Sequence, residues 1–404
     1  MKKELMGYEE ALQVVLDTIL PIDSEWVDLA HCTDRILAED LYAGVDSPSI
    51  DASMKDGYAI RSSEIDHATT QNVVRLNIVG MAAAGLPNDK VVTSGTAIRI
   101  QTGARIPKGA NAVLAEEFSI RESDIVKVFN NAEPGQNILI KGVDVKAGEL
   151  IAIKGNRVSP GMIGILAAAG HSSLPIYCRP KLAIVATGDE LVIPGKPLSE
   201  GGLYASNLFI LNAWCLRYGM TSTLSIVGDK PNFITKKLEE AIANHDAVIT
   251  SGGAWTGDRD FVANTLNSLG WKKLFHRIRI GPGKAVGFGL LKNKPVFLLP
   301  GGPPSNLMAF LQIALPGLLR LSGHNRPALP RVMMKLSDGL TSRHIDWTHF
   351  VYGSFRVGNE YTFFEPLKLA SRLKSVAVAE GVIAIPEGVK SLPAGAIIPV
   401  QLLV

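Results

Sequence analysis

The chain has 404 residues, of which 47% are hydrophobic and 20% charged, and its formal net charge is +3 at pH 7. This length is too great for one compact core, so two to four domains are expected. The charge alone does not decide about nucleic acid, but no long basic run marks a patch, and no nucleic-acid partner is predicted. Three cysteines without a CxxC pair argue against a disulfide framework or a cysteine-rich zinc site.

The N-terminal part of the chain has helical periodicity. Apolar positions recur at helical spacing in residues 3–19 and in the region 24–41, so helices are predicted in both. Glu9 and Glu10 interrupt the apolar pattern where a signal peptide needs an unbroken apolar core. We therefore expect no signal peptide and a soluble, cytoplasmic protein.

The next region changes character. Between residues 71 and 153, short apolar runs are separated by Gly, Asn and Pro, which predicts a mostly β region of short strands. Residues 159–170 then read as a helix of small residues, because Pro160 suits its first turn and Gly170 its end.

From residue 181 onward, strand patterns alternate with helix patterns. This alternation predicts a parallel sheet in an α/β domain of roughly 140 to 150 residues. After residue 326 the chain returns to short strands and turns. The predicted strands begin at 181 and cover 221–227, 247–251 and 295–299, and the predicted helices cover 205–219, 231–244, 258–269 and 304–321.

The most apolar long segment is residues 306–323. It is too short to span a bilayer comfortably, and it contains Gln312 and Pro316. We interpret it as a buried helix and predict no membrane association.

Three polar turns follow predicted strands of the α/β domain. They contain Thr187 to Glu190, Ser251 to Gly253, and Pro300 to Ser305. Ligands of open α/β sheets sit beyond the carboxyl ends of the strands, so these turns are predicted to form the floor of one pocket. Their glycines allow the main chain to approach an anionic group closely.

Other polar residues of this domain have two readings. Asp258 suits a helix cap, whereas Asp260 could instead hold a cation against a bound phosphate. Lys284, in the Gly281-Pro282-Gly283-Lys284 turn, could neutralise an oxyanion, although turn chemistry alone favours a plain exposed turn.

The β region carries further polar motifs, at residues 51–58, 101–104, 142–144 and 147–149, each of which could be an ordinary turn. The eight histidines are scattered without metal-binding spacing. The sequence has no GxSxG, no P-loop and no GxGxxG after a strand, so hydrolase, NTPase and Rossmann dehydrogenase readings lack support.

Taken in order, the motifs resemble those of the molybdopterin molybdenumtransferase family, which includes MoeA and the E domain of gephyrin. The resemblance covers almost the whole chain. Its eight stretches are DASMKDGYA, RIQTGARIPKGANAVLAEE, KGVDVKAGE, VATGDEL, SGGAWTGDRD, GPGKAVGFG, LPGGPPSN and SRLKSVAVAEGVIAIP.

The resemblance implies a multidomain α/β plus β fold that works as a homodimer. It places a three-layer α/β molybdopterin-binding domain with a parallel-type sheet at 179–326 and a mostly β domain at 45–140. A small N-terminal mixed domain would combine 1–44 with 141–178, with the option that helix 3–19 packs on the α/β domain. A C-terminal β-barrel-like domain would occupy 327–404.

The resemblance also implies a reaction and partners. The family inserts molybdenum from molybdate into adenylyl-molybdopterin, with Mg²⁺, and releases AMP. A metal held by carboxylates suits phosphoanhydride cleavage, and lysines and backbone N–H groups would balance the charge of the molybdate oxyanion. A molybdopterin adenylyltransferase is a candidate partner.

Site residues are carried over position by position. Glu190 and Asp260 are assigned to the cation and the pyrophosphate. Asp56 and Asp144 would approach the molybdate side from the partner subunit's β domains. The catalytic candidates are Asp56, Asp144, Glu190, Asp229, Asp260 and Lys284, and the cofactor-binding candidates are Thr102, Thr187, Gly188, Ser251, Gly252, Gly253, Gly301, Pro303 and Ser305.

The chain also departs from the family pattern. Leu139 and Ile140 replace an arginine pair, whose loss removes strong anion donors, although Lys55 could restore some charge. Two alternatives therefore remain open: a tungstate-inserting paralogue, and a catalytically weak molybdopterin-binding or scaffold protein. The further departures are Ala52, Trp255, Ala285 and Gly302.

Overall fold

The computed structural model describes residues 5–87, 89–253, 261–368 and 372–404. The chain forms two compact units. Unit 1 combines Met1–Glu25 with Ile176–Val404, and unit 2 is the intervening stretch Trp26–Pro175. The four-domain division expected from the resemblance stays a prediction.

Unit 2 is built mainly from short strands, as predicted for residues 71–153. Its largest sheet has six strands, in the order 112–115, 57–60, 96–100, 74–82, 125–128, 119–122. Tyr58 and Ile98 are fully buried on central strands, and Leu114 is fully buried on the edge strand Ala112–Ala115. The strands are Leu41–Tyr42, Ala52–Ser53, Gly57–Ile60, Val74–Ala82, Thr96–Ile100, Ala112–Ala115, Ser119–Glu122, Ile125–Val128, Ile138–Leu139 and Leu150–Ala152, with 3-10 turns at Leu29–His31, Ser62–Glu64 and Glu116–Phe118.

Two helix predictions near unit 2 have opposite outcomes. The helix expected at 159–170 is confirmed as Pro160–Ala168, and the Ser159 hydroxyl caps it by accepting from Met162 N at 3.2 Å. The helix expected across 24–41 is wrong. The segment contains a strand, Ser24–Asp28, and one 3-10 turn, because the Asp28 side chain accepts from Ala30 N and Cys32 N closes the turn by donating to Leu29 O.

Unit 1 contains a six-stranded central sheet. Four parallel strands lie in the order Thr221–Val227, Lys181–Thr187, Ala247–Ser251 and Lys294–Leu299. Three of these strands are mostly apolar because both faces of the sheet are covered by helices, whereas the edge strand Thr221–Val227 has four polar residues among seven. Two antiparallel strands, Gly287–Leu291 and Lys272–His276, extend the sheet beyond the predicted ones.

The helices lie on both faces of this sheet, so the predicted three-layer α/β arrangement is confirmed. Successive residues of strand Lys181–Thr187 point to opposite faces of the sheet. Ile184 belongs to the core on one face and Val185 to the core on the other. The first face carries Tyr8–Thr18, Ser206–Arg217 and the segment 303–321, and the second carries Pro231–Asn244 and Phe261–Ser268.

The predicted buried helix at 304–321 is confirmed, with an irregularity. Its parts are Pro303–Ala309, a π-helical turn Phe310–Ala314, and Leu315–Leu321. In the π turn, Leu315 N donates to Phe310 O, five residues earlier. This wider turn lies directly before Pro316, which has no N–H and would disrupt a regular α-helical turn. Among the described residues, no helix combines the length and apolar character needed to cross a membrane.

The C-terminal part of unit 1 confirms the barrel-like prediction. Five strands close into a ring in the order 348–357, 362–366, 331–336, 397–402, 381–385 and back to 348–357. Leu336, Phe364 and Val400 fill its interior. The barrel strands are Arg331–Leu336, Thr348–Val357, Thr362–Pro366, Gly381–Ile385 and Ile397–Leu402, and the last helix is Arg372–Val378.

The remaining strands lie outside the central sheet and the barrel ring. They are Met6–Gly7, Ser173–Tyr177, Leu191–Val192, Leu203–Tyr204, Ile278–Gly281, Leu340–Thr341 and Ser391–Leu392.

Candidate functional site

A cavity of about 710 Å³ lies at the carboxyl ends of the four parallel strands of unit 1. Each strand contributes a residue at or just after its end, which is where open α/β sheets bind ligands. The lining residues are Ala186, Thr187, Gly188, Glu190, Leu191, Leu203, Tyr204, Ala205, Ser206, Asn207, Leu208, Asp229, Ser251, Gly252, Gly253, Phe261, Gly301, Pro303 and Leu373.

The turn after strand 247–251 requires glycine at two positions. Gly252 and Gly253 have φ values of 96° and 67°, in the left-handed region. A Cβ on Gly252 would lie 2.6 Å from Thr187 O, and a Cβ on Gly253 would lie 2.5 Å from Val262 Cγ2. The turn can pack between its neighbours only without side chains, which also leaves its backbone open to the cavity.

Two asparagines fix the turns to one another. Asn306 is 1% exposed, and its Nδ2 donates to Ser251 Oγ at 3.0 Å and to Pro300 O at 2.8 Å. Asn207 Nδ2 donates to Gly301 O at 2.8 Å and to Ser251 Oγ at 3.4 Å. The side-chain amides of these two asparagines thus fix the turn at Ser251 to Gly253 relative to the turn at Pro300 to Ser305.

The sequence analysis missed both asparagines. Each belongs to a Ser-Asn pair in the first turn of a helix, Ser206-Asn207 and Ser305-Asn306. This shared dipeptide beside the predicted turns is the signal that could have found them.

Carboxylates line one side of the cavity. Glu190 and Asp229 face it, and Asp189 Oδ1 accepts from Asp229 N at 3.0 Å. Partial burial raises the pKa of Asp229 above its ordinary value, and the negative charges of Asp189 and Glu190 raise it further. Three neighbouring acids with mutual repulsion are a hard-oxygen donor set of the kind that attracts a divalent cation.

Carboxylate oxygens are ligands that Mg²⁺ accepts, but the described acids alone do not form a complete coordination site. Among the described residues, no three acidic, histidine or cysteine side chains are arranged to hold a metal ion together. Asp260, the other predicted metal ligand, lies outside the described residues, as do Asp258 and Trp255.

A buried hydroxyl also lies at the cavity. Thr187 lines it and is 5% exposed, and its Oγ1 has no hydrogen-bond partner in the part of the chain that the structure describes. A buried polar atom usually has a partner, so this oxygen is suited to a ligand group.

Lys284 and Ser305 do not line the cavity. The predicted turn at 281–284 is present, and the Lys284 ammonium lies 4.9 Å from the centre of the Trp347 ring, in a cation–π contact. Ser305 lies in helix Pro303–Ala309, and a Cβ on Gly283 would be 3.4 Å from its carbonyl oxygen. The lysine turn therefore packs against the helix that carries Pro303.

In unit 2 the structure brings together Asp56 and Thr102, which are 46 residues apart. Thr102 N and Oγ1 both donate to Asp56 Oδ1, at 2.7 and 3.0 Å. The backbone bond, followed by the hydroxyl bond, lowers the pKa of Asp56 below its ordinary value. Asp144 is exposed on a separate turn, where its N–H donates to Ser47 O at 3.0 Å.

Two of the family departures lie opposite each other. Ala52 and Leu139 are cross-strand partners in a two-stranded antiparallel ladder of unit 2. Ile140 follows with an exposed side chain, and Ala285 follows Lys284 in its turn. A small buried alanine and a leucine thus form an apolar pair where the family pattern has polar groups.

Comparisons with known proteins cover most of the chain. Residues 6–170 match the family described as "MoeA N-terminal region (domain I and II)", and residues 183–320 match a "Probable molybdopterin binding domain". Similar relatives include a molybdopterin molybdenumtransferase of Haemophilus influenzae, 33% identical over 80% of this chain and 79% of the relative. Another is a molybdopterin molybdenumtransferase of Nostoc, 34% identical over 74% of this chain and 70% of the relative.

A solved structure is similar over nearly the whole length. The molybdopterin biosynthesis MoeA protein from Pyrococcus horikoshii OT3 superposes with a TM-score of 0.85 at 30% identity, covering 99% of this chain and 100% of that chain. The structural similarity and the sequence matches therefore indicate the same family in each of the two units.

Proposed function

This chain belongs to the molybdopterin molybdenumtransferase family and is a transferase of molybdenum cofactor biosynthesis, and we propose that it inserts molybdenum from molybdate into adenylyl-molybdopterin with release of AMP. One observation carries the proposal. Nine of the residues expected at the site line a single cavity, and they supply both glycine turns and carboxylates: Thr187, Gly188, Glu190, Asp229, Ser251, Gly252, Gly253, Gly301 and Pro303.

Each part of the cavity has a chemical role in this proposal. The glycine turns leave room for the pterin phosphate to approach the backbone, and the unpartnered Thr187 hydroxyl offers it a hydrogen bond. Asn306 and Asn207 hold the turns in place, so the binding groups are positioned before the substrate arrives.

Glu190 and Asp229, with Asp260, hold Mg²⁺ in this proposal. When bound, the ion supplies charge stabilisation on the phosphoryl oxygens of the substrate. The raised pKa of Asp229 supports the assignment, because a bound cation would relieve the repulsion among these acids. In the same proposal Lys284 acts on the molybdate side, and Asp56 and Asp144 approach that side from the partner subunit.

The partners follow from the same proposal. The active form is a homodimer in the cytoplasm, and its substrate comes from a molybdopterin adenylyltransferase. Sedimentation velocity tests the dimer, and a monomer across the working concentration range would contradict it.

The reaction is tested with the purified protein, adenylyl-molybdopterin and Mg²⁺, with either molybdate or tungstate, by following AMP release. Release with molybdate is the expected result. Release with tungstate alone would identify a tungstate-inserting paralogue, and tight binding without release would identify a binding protein.

Asp229→Asn tests the acidic side of the cavity. We expect AMP release to fall roughly 10- to 100-fold, because one of the cation-binding oxygens is lost. Glu239→Gln is the matched control, since Glu239 is an exposed acid on helix Pro231–Asn244. Full activity in Asp229→Asn would remove the proposed role of this carboxylate.

A further inference from the structure

The guanidinium of Arg372 lies directly against Gly302. A Cβ on Gly302 would come within 2.1 Å of Arg372 Nη2 and 3.4 Å of its Cζ. The backbone of Gly302 is extended, with φ −73° and ψ 126°, a conformation that any residue adopts. A side chain at position 302 would therefore displace the Arg372 guanidinium from this place, although the backbone itself would accept one.

The contact lies at the edge of the cavity. Gly302 stands between Gly301 and Pro303, which both line it, and Leu373, the neighbour of Arg372, lines it as well. Helix Arg372–Val378 packs against helix Pro303–Ala309, so the short C-terminal helix carries the arginine to the third turn of the pocket.

The arginine side chain is available for a ligand. Arg372 is exposed, and within the described residues no carboxylate or hydrogen-bond acceptor engages its guanidinium. A planar guanidinium presents paired N–H donors whose geometry matches a tetrahedral oxyanion. The charged side chains among the cavity-lining residues, Glu190 and Asp229, are both acidic and would repel an anion.

We propose that Arg372 binds an oxyanion at the Pro300–Gly302 turn, and that Gly302 is the residue that makes room for its guanidinium. This inference rests on the proposed function, which gives the cavity two tetrahedral oxyanions, a phosphate group and molybdate. Arg372 supplies the positive charge that the acidic lining lacks.

The experiment measures equilibrium binding of two probes, AMP and molybdate, to the full chain by calorimetry in the presence of Mg²⁺. Arg372→Gln is expected to weaken binding of at least one probe by about tenfold or more, the loss typical of a charged hydrogen bond. Arg372→Lys keeps the charge but loses the paired donors, and is expected to bind with intermediate affinity.

Gly302→Ala tests the space argument with the arginine still present. Its methyl group displaces the guanidinium, so it should weaken the same probe as Arg372→Gln. Arg326→Gln, an exposed arginine after the long buried helix, is the charge control, and Gly164→Ala, where a Cβ meets nothing within 4 Å, is the glycine control. Thermal melting of each variant monitors folding.

The outcomes separate the two oxyanions and the two proposals. Weaker AMP binding identifies the phosphate as the ligand of Arg372, and weaker molybdate binding identifies molybdate. Unchanged affinity for both probes, or a wild-type protein that binds neither, overturns the inference. AMP release is assayed on the same preparations. If the wild-type protein releases AMP and Arg372→Gln binds both probes as well as the wild type does, only this inference is contradicted. If binding depends on Arg372 but no AMP is released, only the proposed reaction is contradicted.

Discussion

Gly252 and Gly253 are the residues on which the shape of the site depends most directly. Each holds a left-handed backbone conformation, and each lies too close to a neighbour for a side chain. Both constraints act at once, so the cost of a substitution combines backbone strain with a steric clash.

Gly252→Ala is therefore expected to lower the free energy of unfolding by about 2–4 kcal/mol and to weaken ligand binding. Gly270→Ala is the control, because Gly270 has φ 86° but a Cβ there would meet nothing within 4 Å. It should cost only about 1 kcal/mol. Urea unfolding of both variants gives the comparison, and equal losses would show that the contact with Thr187 O contributes nothing.

The sequence predicted the site residues that belong to turns. Glycine turns after strands have local chemistry, so Ser251 and Gly301 could be placed without coordinates. Asn207, Asn306 and Arg372 were not placed. A Ser-Asn dipeptide marks both asparagines, but it does not reveal their partners, such as the Gly301 carbonyl 94 residues from Asn207.

At the scale of elements, the parallel strands and their helices were predicted because short apolar runs and helical spacing of apolar residues are different sequence patterns. The strands Lys272–His276 and Gly287–Leu291 were not, since the glycine turn between them interrupts both patterns. The helix expected across 24–41 failed because the apolar spacing fits a strand followed by a tight turn equally well, and the Asp28 cap decides between them.

The strand Lys272–His276 gives the central sheet a pH-sensitive edge. Burial lowers the pKa of His276 to about 4, and the positive charges of Arg277 and Lys273 add to the effect. An unfolded histidine titrates near 6.5, so between pH 6.5 and 4 the unfolded chain binds more protons than the folded one. Stability from the neutral imidazole is thus lost as the pH falls through this range.

We expect the wild-type free energy of unfolding to fall by roughly 1–2 kcal/mol more than that of His276→Gln between pH 7 and pH 4, because solvent screening at a partly exposed ring reduces the full effect of the shift. Denaturant unfolding at several pH values measures the difference, which cancels the carboxylates that titrate in both proteins. His31→Gln, at an exposed histidine, is the control. Parallel curves for wild type and His276→Gln would contradict the burial argument.

At the scale of the whole molecule, unit 1 is assembled from two separated stretches of chain. The helix Tyr8–Thr18 packs on Leu315–Leu321, and the Tyr8 hydroxyl donates to Gln312 Oε1 at 3.2 Å. Gln312 Nε2 donates to Gln401 Oε1 at 2.6 Å. This buried chain of hydrogen bonds links the first helix, the long helix and the last strand of the unit. Such a link between distant stretches is beyond the reach of local sequence patterns.

Tyr8→Ala is expected to destabilise unit 1 by about 3–5 kcal/mol, because it removes a buried aromatic ring that also packs edge-on against Phe350. Tyr8→Phe should cost only about 1 kcal/mol, since Gln312 Oε1 still accepts from Gln401 Nε2. Hydrogen exchange followed by mass spectrometry reads the two units separately. Faster exchange in peptides of 26–175 to the same degree as in 176–404 would contradict a loss confined to unit 1.

The discontinuity of unit 1 also bears on the order in which a growing polypeptide gains its structure. At about 5–20 residues per second, the ribosome needs roughly 20 to 80 s after making Tyr8 before Gln401 exists. Residues 26–175 are complete long before that, and can fold as they emerge. The first helix, only 11 residues long, is marginal in water by itself. Its apolar face therefore spends most of translation without its native cover, as a natural target for chaperones.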